Sequence, residues 1–170
     1  MKISFIYMAS GFGSRFGSNK LLVPFKGKAL YRHGLDCICR AAGELEKEGY
    51  PTEVLVVSQY EEILEQAESQ GLRAVLNRFS GQGITASLRL GTDSASPESE
   101  ALLFSVADQP YMSPFTLKEF IRGFRLAGKG MGCECHQGQR GNTDILARAY
   151  RSELEGIRGK RGGSGLMKGR

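Results

Sequence analysis

The 170-residue chain predicts an α/β fold in three layers, a mostly parallel sheet with helices on both faces. Three observations carry that expectation. Short runs rich in apolar and β-branched residues alternate with longer segments whose apolar residues recur at helical spacing. The first and fourth runs are almost continuously apolar, as strands buried on both faces are. The first run also passes without a linker into a glycine-rich loop, Met8 to Lys20.

Taken in order, residues 2–8 read as the first strand. Pro24 to Lys28 reads as a turn, and residues 29–48 as a helix with Leu30, Leu35, Ile38, Ala41, Ala42 and Leu45 on one face. Gly49-Tyr50-Pro51 ends it. Thr52–Ser58 is a β-branched strand, Tyr60–Gln70 a short acidic helix stopped at Gly71, and Arg73–Leu76 a third strand. A loop from Phe79 to Gly83 leads into a helix over Ile84–Leu90. After the polar connector Ser94–Glu100 comes the fourth strand, Ala101–Val106. Pro114–Ala127 reads as a helix with proline at its first turn, capped by Ser113. Met131–Gln137 is expected as a strand, Gly138–Gly141 as a turn, and Glu153–Ile157 as helical. Residues 159–170 form a tail rich in glycine and charge.

In such sheets ligands bind beyond the carboxyl ends of the strands. The rule puts the glycine loop, Ser58, the Asn77–Gly83 loop and Ala107-Asp108 on one rim. The loop has the makings of an anion cradle. Glycines bring backbone N–H groups close to a ligand, and Arg15 and Lys20 add positive charge. It fits neither of two familiar phosphate loops. A Walker loop needs lysine directly after its last glycine, whereas Ser18 and Asn19 separate Gly17 from Lys20. The dinucleotide fingerprint needs glycine where Phe16 stands. Asp108 is the second anchor. A carboxylate just past an apolar strand is costly unless compensated, and a divalent cation bridging it to phosphates would compensate it.

Charge is distributed unevenly. The net value is +5, yet residues 1–35 carry six cations and no acid, and residues 151–170 carry six cations against two glutamates. Two basic ends around one site suit a phosphate-rich substrate. No basic stripe interleaved with aromatics marks a nucleic-acid binder. The 41% apolar content is that of a globular protein. No run is long enough to span a membrane, and the N-terminal apolar run is shorter than a secretion signal requires, so a single cytosolic domain over residues 1–170 is expected. The cysteines fall into two C-x-C pairs, Cys37/Cys39 and Cys133/Cys135. Helical geometry points the first pair apart, whereas the second can share one face of a strand. Reduced thiols are expected rather than structural zinc.

The loop resembles the signature of the MobA-like nucleotidyltransferases, roughly L-A-A-G-x-S-x-R-M-G-x-x-K-L-L, at Ala9, Gly11, Arg15, Gly17, Lys20, Leu21 and Leu22. Ala107-Asp108-Gln109-Pro110 is similar to the family's G/A-D-x-P. Gly83 to Gly91 is similar to the G-x-x-x-S-L-R-x-G of its cytidylyltransferase branch, and Arg140-Gly141-Asn142 to a G-N turn near the acceptor. The resemblance implies a Rossmann-like fold of the nucleotide-diphospho-sugar transferase type. It also implies transfer of a nucleoside monophosphate from an NTP to a phosphate-bearing acceptor. CTP and a molybdopterin-type acceptor are favoured, with a molybdenum hydroxylase as a further partner. Arg15, Lys20 and Asp108 are implied as catalytic, with Asp108 holding Mg²⁺ or, as a substitute, Mn²⁺. Ala9, Ser10, Gly11, Phe12, Gly13, Lys20, Ser58, Gly83 and Ser87 are implied in nucleotide binding. Gln109, Arg140, Gly141 and Asn142 are implied in acceptor binding. The chain departs from the pattern at Ser10, Thr143-Asp144 and Lys160. Guanylyl or sugar-phosphate transfer on the same fold, and a non-catalytic accessory role in cofactor delivery, are the alternatives.

Overall fold

The computed structural model describes residues 1–11 and 19–157. Its strands are β1 (Ile3–Ala9), β2 (Pro24–Phe25), β3 (Lys28–Ala29), β4 (Thr52–Ser58), β5 (Arg73–Leu76), β6 (Ala101–Val106), β7 (Met131–His136) and β8 (Gln139–Ala147). The α-helices are α1 (Leu30–Lys47), α2 (Glu61–Ser69), α3 (Ile84–Ser94), α4 (Pro114–Ala127) and α5 (Arg151–Glu155). Six strands form one sheet in the order β5-β4-β1-β6-β8-β7. The pairs among β5, β4, β1 and β6 are parallel, and β8 joins β6 and β7 in antiparallel fashion. This is the expected mostly parallel, Rossmann-like sheet.

Every residue of β1 is buried, which explains its continuous apolar run. Ile3, Phe5, Tyr7 and Ala9 pack on the face covered by α1, α2 and α4. Ile6 and Met8 pack on the other, with Leu88 of α3 and Leu154 of α5. Ala9 is level with Ser58, and Met8 with Val57 and Val106. The carboxyl ends of three central strands therefore finish together, and the loops that follow them share one rim.

The third and fourth strands and α4 have the expected bounds, while α3 runs beyond Leu90 to Ser94. Two expectations are corrected. Ser113 takes the cap position of α4, but its side chain makes no capping bond. The turn expected over Gly138–Gly141 is confined to Gln137-Gly138, both with positive φ (50° and 76°), flanked by the His136–Gln139 pair. Such a two-residue turn matches the twist of its strands, so Gln139 to Gly141 lie inside β8. The segment Pro24–Lys28 is likewise a ribbon, with Lys26 and Gly27 at its tip in positive φ.

Candidate functional site

A cavity of about 380 Å³ opens at the shared strand ends, within the size range of small-ligand pockets. Met8, Ser10 and Gly11 line it from the end of β1, and Val106, Ala107 and Asp108 from the end of β6. Lys20 and Leu21 enter from the short 3₁₀ turn Lys20–Leu22, which Asn19 caps by accepting from the Leu21 N–H at 3.0 Å. Ser80, Gly83, Ile84 and Ser87 complete it from the turn before α3 and its first helical turns.

Lys20 and Asp108 face each other, Nζ to Oδ2 at 3.6 Å, with both side chains nearly half exposed. An ion pair so solvated contributes little to stability. Each partner can therefore exchange the other for a ligand at small cost. Gly83, with φ of 83°, takes a backbone conformation that a side chain would strain, and places α3 with its N-terminus at the cavity. The positive end of the helix dipole favours an anion there.

A set of neutral hydrogen bonds fixes the exit of β1. The Gln59 amide donates to the Ser10 carbonyl at 2.9 Å and accepts from the Ser80 hydroxyl at 2.8 Å. The Tyr60 hydroxyl donates to the Gly11 carbonyl at 2.8 Å. Buried Asn77 donates to the Ser87 hydroxyl at 3.1 Å and accepts from the Phe79 N–H at 2.9 Å. Gln59, Tyr60, Asn77 and Ser80 escape a reading of sequence motifs because they belong to none. Of these, Asn77 and Ser80 lie in the Asn77–Gly83 loop that the sequence places on the rim, whereas Gln59 and Tyr60 are marked only by following the strand that ends at Ser58.

Of the residues the motifs single out, Ser10, Gly11, Lys20, Gly83, Ser87 and Asp108 meet around the cavity. Ala9 and Ser58 do not line it. Both are fully buried, and the Ser58 hydroxyl donates to the Ala9 carbonyl at 2.8 Å and accepts from the Tyr60 N–H at 3.0 Å. They join β1 to β4 beneath the site. Ser10 turns its hydroxyl to the Val57 carbonyl at 3.2 Å. Gln109 follows Asp108 but is not part of the lining, and Arg140, Gly141 and Asn142 stand on β8, also outside it. Phe12, Gly13, Arg15, Gly17 and Lys160 lie outside the described residues.

Beneath the site, the Tyr7 hydroxyl donates to the Tyr31 carbonyl at 2.5 Å and lies 3.3 Å from the Ala107 carbonyl. Burial, followed by the charge of Asp108, holds this phenol well above the usual tyrosine range. It stays protonated, a fixed donor under the strand end that presents Asp108. Among the described residues no cluster of three metal-ligating side chains occurs. Asp108 therefore offers a single carboxylate, which suits a cation such as Mg²⁺ that keeps its water and takes further oxygens from substrate phosphates.

The model of the MobA-like NTP transferase domain matches residues 5–170. The chain belongs to this family. The solved structures that share the MobA-like chain's fold include nucleotidyltransferases. The homologue of Rv0371c from Mycobacterium sp. strain JC1 has a TM-score of 0.82 at 24% identity, over 99% of this chain and 81% of its own. Rv0371c of Mycobacterium tuberculosis H37Rv in complex with manganese has a TM-score of 0.75 at 19% identity, over 99% and 81%. CMP:2-keto-3-deoxy-manno-octonic acid synthetase with bound CTP has 0.70 at 14%, over 92% and 78%. At these identities the likeness is one of fold. No curated protein matches the chain.

Proposed function

We propose that the chain, as one domain, transfers a nucleoside monophosphate from an NTP to a phosphate-bearing acceptor, with CTP and a molybdopterin-type acceptor as the preferred pair. The observation that carries this reading is the facing of Lys20 and Asp108 across a cavity that also receives the N-terminus of α3. A cation, an anion-favouring helix end and a solvated carboxylate are the groups that a triphosphate and its counter-ion need. Preference for cytidine rests on the likeness of Gly83 to Gly91 and of Ala9-Ser10-Gly11 to the cytidylyltransferase pattern.

In this reading an acceptor phosphate oxygen attacks the α-phosphorus in line and pyrophosphate leaves. The protein contributes position and charge rather than a covalent nucleophile. Lys20 gives up Asp108 and neutralises phosphate oxygens. The first turn of α3 and the pinned Ser10–Gly11 backbone orient the nucleotide, and Arg15 meets the departing pyrophosphate. Asp108 would hold Mg²⁺ or Mn²⁺; when bound, such an ion withdraws charge from the phosphates as the transition state forms. The manganese complex of the mycobacterial protein supports a divalent ion as cofactor.

The test is transfer from labelled CTP and GTP to molybdopterin, with wild type and Asp108→Asn. Transfer from CTP that falls about 10²- to 10³-fold in the variant is expected, the cost of losing one transition-state charge partner. Transfer from GTP alone would replace the cytidine assignment. An undiminished variant would remove Asp108 from the chemistry and favour an accessory, cofactor-delivering role.

A further inference from the structure

We propose that Cys133 and Cys135 form a reversible dithiol–disulfide site on the outermost strand of the sheet, closed by exchange with small-molecule disulfides. The inference does not depend on the nucleotidyl-transfer reading. β7 is an edge strand, paired on one side only, and Cys135 is exposed on it. Residues i and i+2 of a regular strand lie about 6.6 Å apart, near the limit that a disulfide spans. Here the two sulfurs already approach to 3.9 Å.

The register around them is irregular. Cys133 pairs with Asp144 and Cys135 with Arg140, so Gly141, Asn142 and Thr143 of β8 stand opposite the single residue Glu134. A bulge of this kind bends and twists the hairpin, and the two thiols meet on the strand facing it. Arg140 spans the irregularity, its guanidinium donating to both oxygens of Asp144 at 2.8 Å. Arg140 and Asp144 are the cross-strand partners of the two cysteines and share their face, and at Cys133 their charges oppose each other, Arg140 lowering the thiol and Asp144 raising it. Gly141 also fits tightly, since a side chain there would meet the Glu134 carbonyl at 3.3 Å.

The other two cysteines lack this chemistry. Burial pushes the Cys37 thiol up to about 12 and the Cys39 thiol up to about 11, which leaves almost no thiolate near neutral pH. Cys133 is raised by burial and then by its neighbour Cys135, so the exposed Cys135 attacks first. Its thiolate displaces one thiolate from the small disulfide and forms a mixed disulfide. Cys133 then attacks the Cys135 sulfur, and the second small thiolate leaves. The protein loses two electrons and two protons, and one disulfide becomes two thiols.

The full chain would be treated with oxidised glutathione at mildly alkaline pH, then unfolded, alkylated and analysed by peptide mass spectrometry. The peptide holding Cys133 and Cys135 should lose two hydrogens and both alkylation sites, while Cys37 and Cys39 remain alkylated and dithiothreitol restores all four thiols. Cys133→Ser should stall as a glutathione adduct on Cys135. Full alkylation of the wild-type pair, a lasting wild-type adduct, or equal oxidation of Cys37 and Cys39 would each overturn the proposal.

Discussion

Asp108 and Lys20, the pair to which the proposed transfer assigns catalysis, add little to the fold. Their 3.6 Å contact is half solvated, so removing it should cost well under about 1 kcal/mol. Lys20→Gln should accordingly leave the melting temperature almost unchanged while transfer collapses, a separation read by running a thermal melt and an activity assay on one preparation. Tyr7 is the opposite case. Its hydroxyl is buried against the carbonyls of Tyr31 and Ala107, and Tyr7→Phe should lower stability by about 1 kcal/mol in urea titration. If Tyr7 also holds the Asp108 loop in place, the variant should lose transfer rate at saturating NTP, an effect that a stability loss alone does not produce well below the melting point.

Within α1, two glycines of the same helix have opposite meanings. A side chain at Gly34 would meet the Tyr7 hydroxyl at 2.7 Å, whereas at Gly43 it would meet nothing within 4 Å. Gly34→Ala should destabilise by about 1–3 kcal/mol through overpacking. Gly43→Ala should stabilise by about 0.5–1 kcal/mol through helix propensity. Adding Tyr7→Phe to Gly34→Ala should recover part of the loss, because the nearest atom in the clash is then gone; a double-mutant cycle measures that coupling. Helix α3 is held at its other end by Arg151 of α5. Its guanidinium donates to the carbonyls of Thr92, Ala95 and Ser96 at 2.8–3.0 Å, at and just past the C-terminus of the helix. Arg151→Met should cost about 1.5–3 kcal/mol.

At the scale of the whole molecule, burial of ionisable groups in the α1 side of the core sets the alkaline limit. Cys37 and Cys39 move from an ordinary thiol value of 9.0 to about 12 and about 11, chiefly through burial. Between those values the unfolded chain loses protons that the fold retains, so stability falls as pH rises. The contribution is complete below about pH 9 and is gone above the folded values. Each group adds a slope of order 1 kcal/mol per pH unit in that window. Denaturant midpoints taken across it should fall less steeply for Cys37→Ala, whatever packing that substitution also removes. An equal slope would show that the Cys37 thiol titrates alike in the folded and unfolded states. Among the described residues no helix is long and apolar enough to cross a membrane.

The residues that carry local signals were legible in the sequence. Apolar runs marked β1, β4 and β6 because strands covered on both faces need apolar residues on both. The edge strand β5, with no buried residue, was marked only by its short apolar run. The alternation with helices implied their parallel pairing, and glycine with charge at one strand end marked the site. Asp108 was legible because a carboxylate is out of place beside an apolar strand. What pairing across distant segments decides stayed hidden. Gly141 and Asn142 read as turn residues, yet antiparallel pairing and the Gln137-Gly138 turn draw them into β8. Ser58 stood on the expected rim, but its hydroxyl is drawn inward to the Ala9 carbonyl. The anchoring by Gln59, Tyr60, Asn77 and Ser80 and the approach of the Cys133 and Cys135 sulfurs also depend on tertiary register. A hydrogen bond or a thiol contact forms between whichever groups the fold brings together, and that meeting is a property of the packed chain rather than of any one stretch of it.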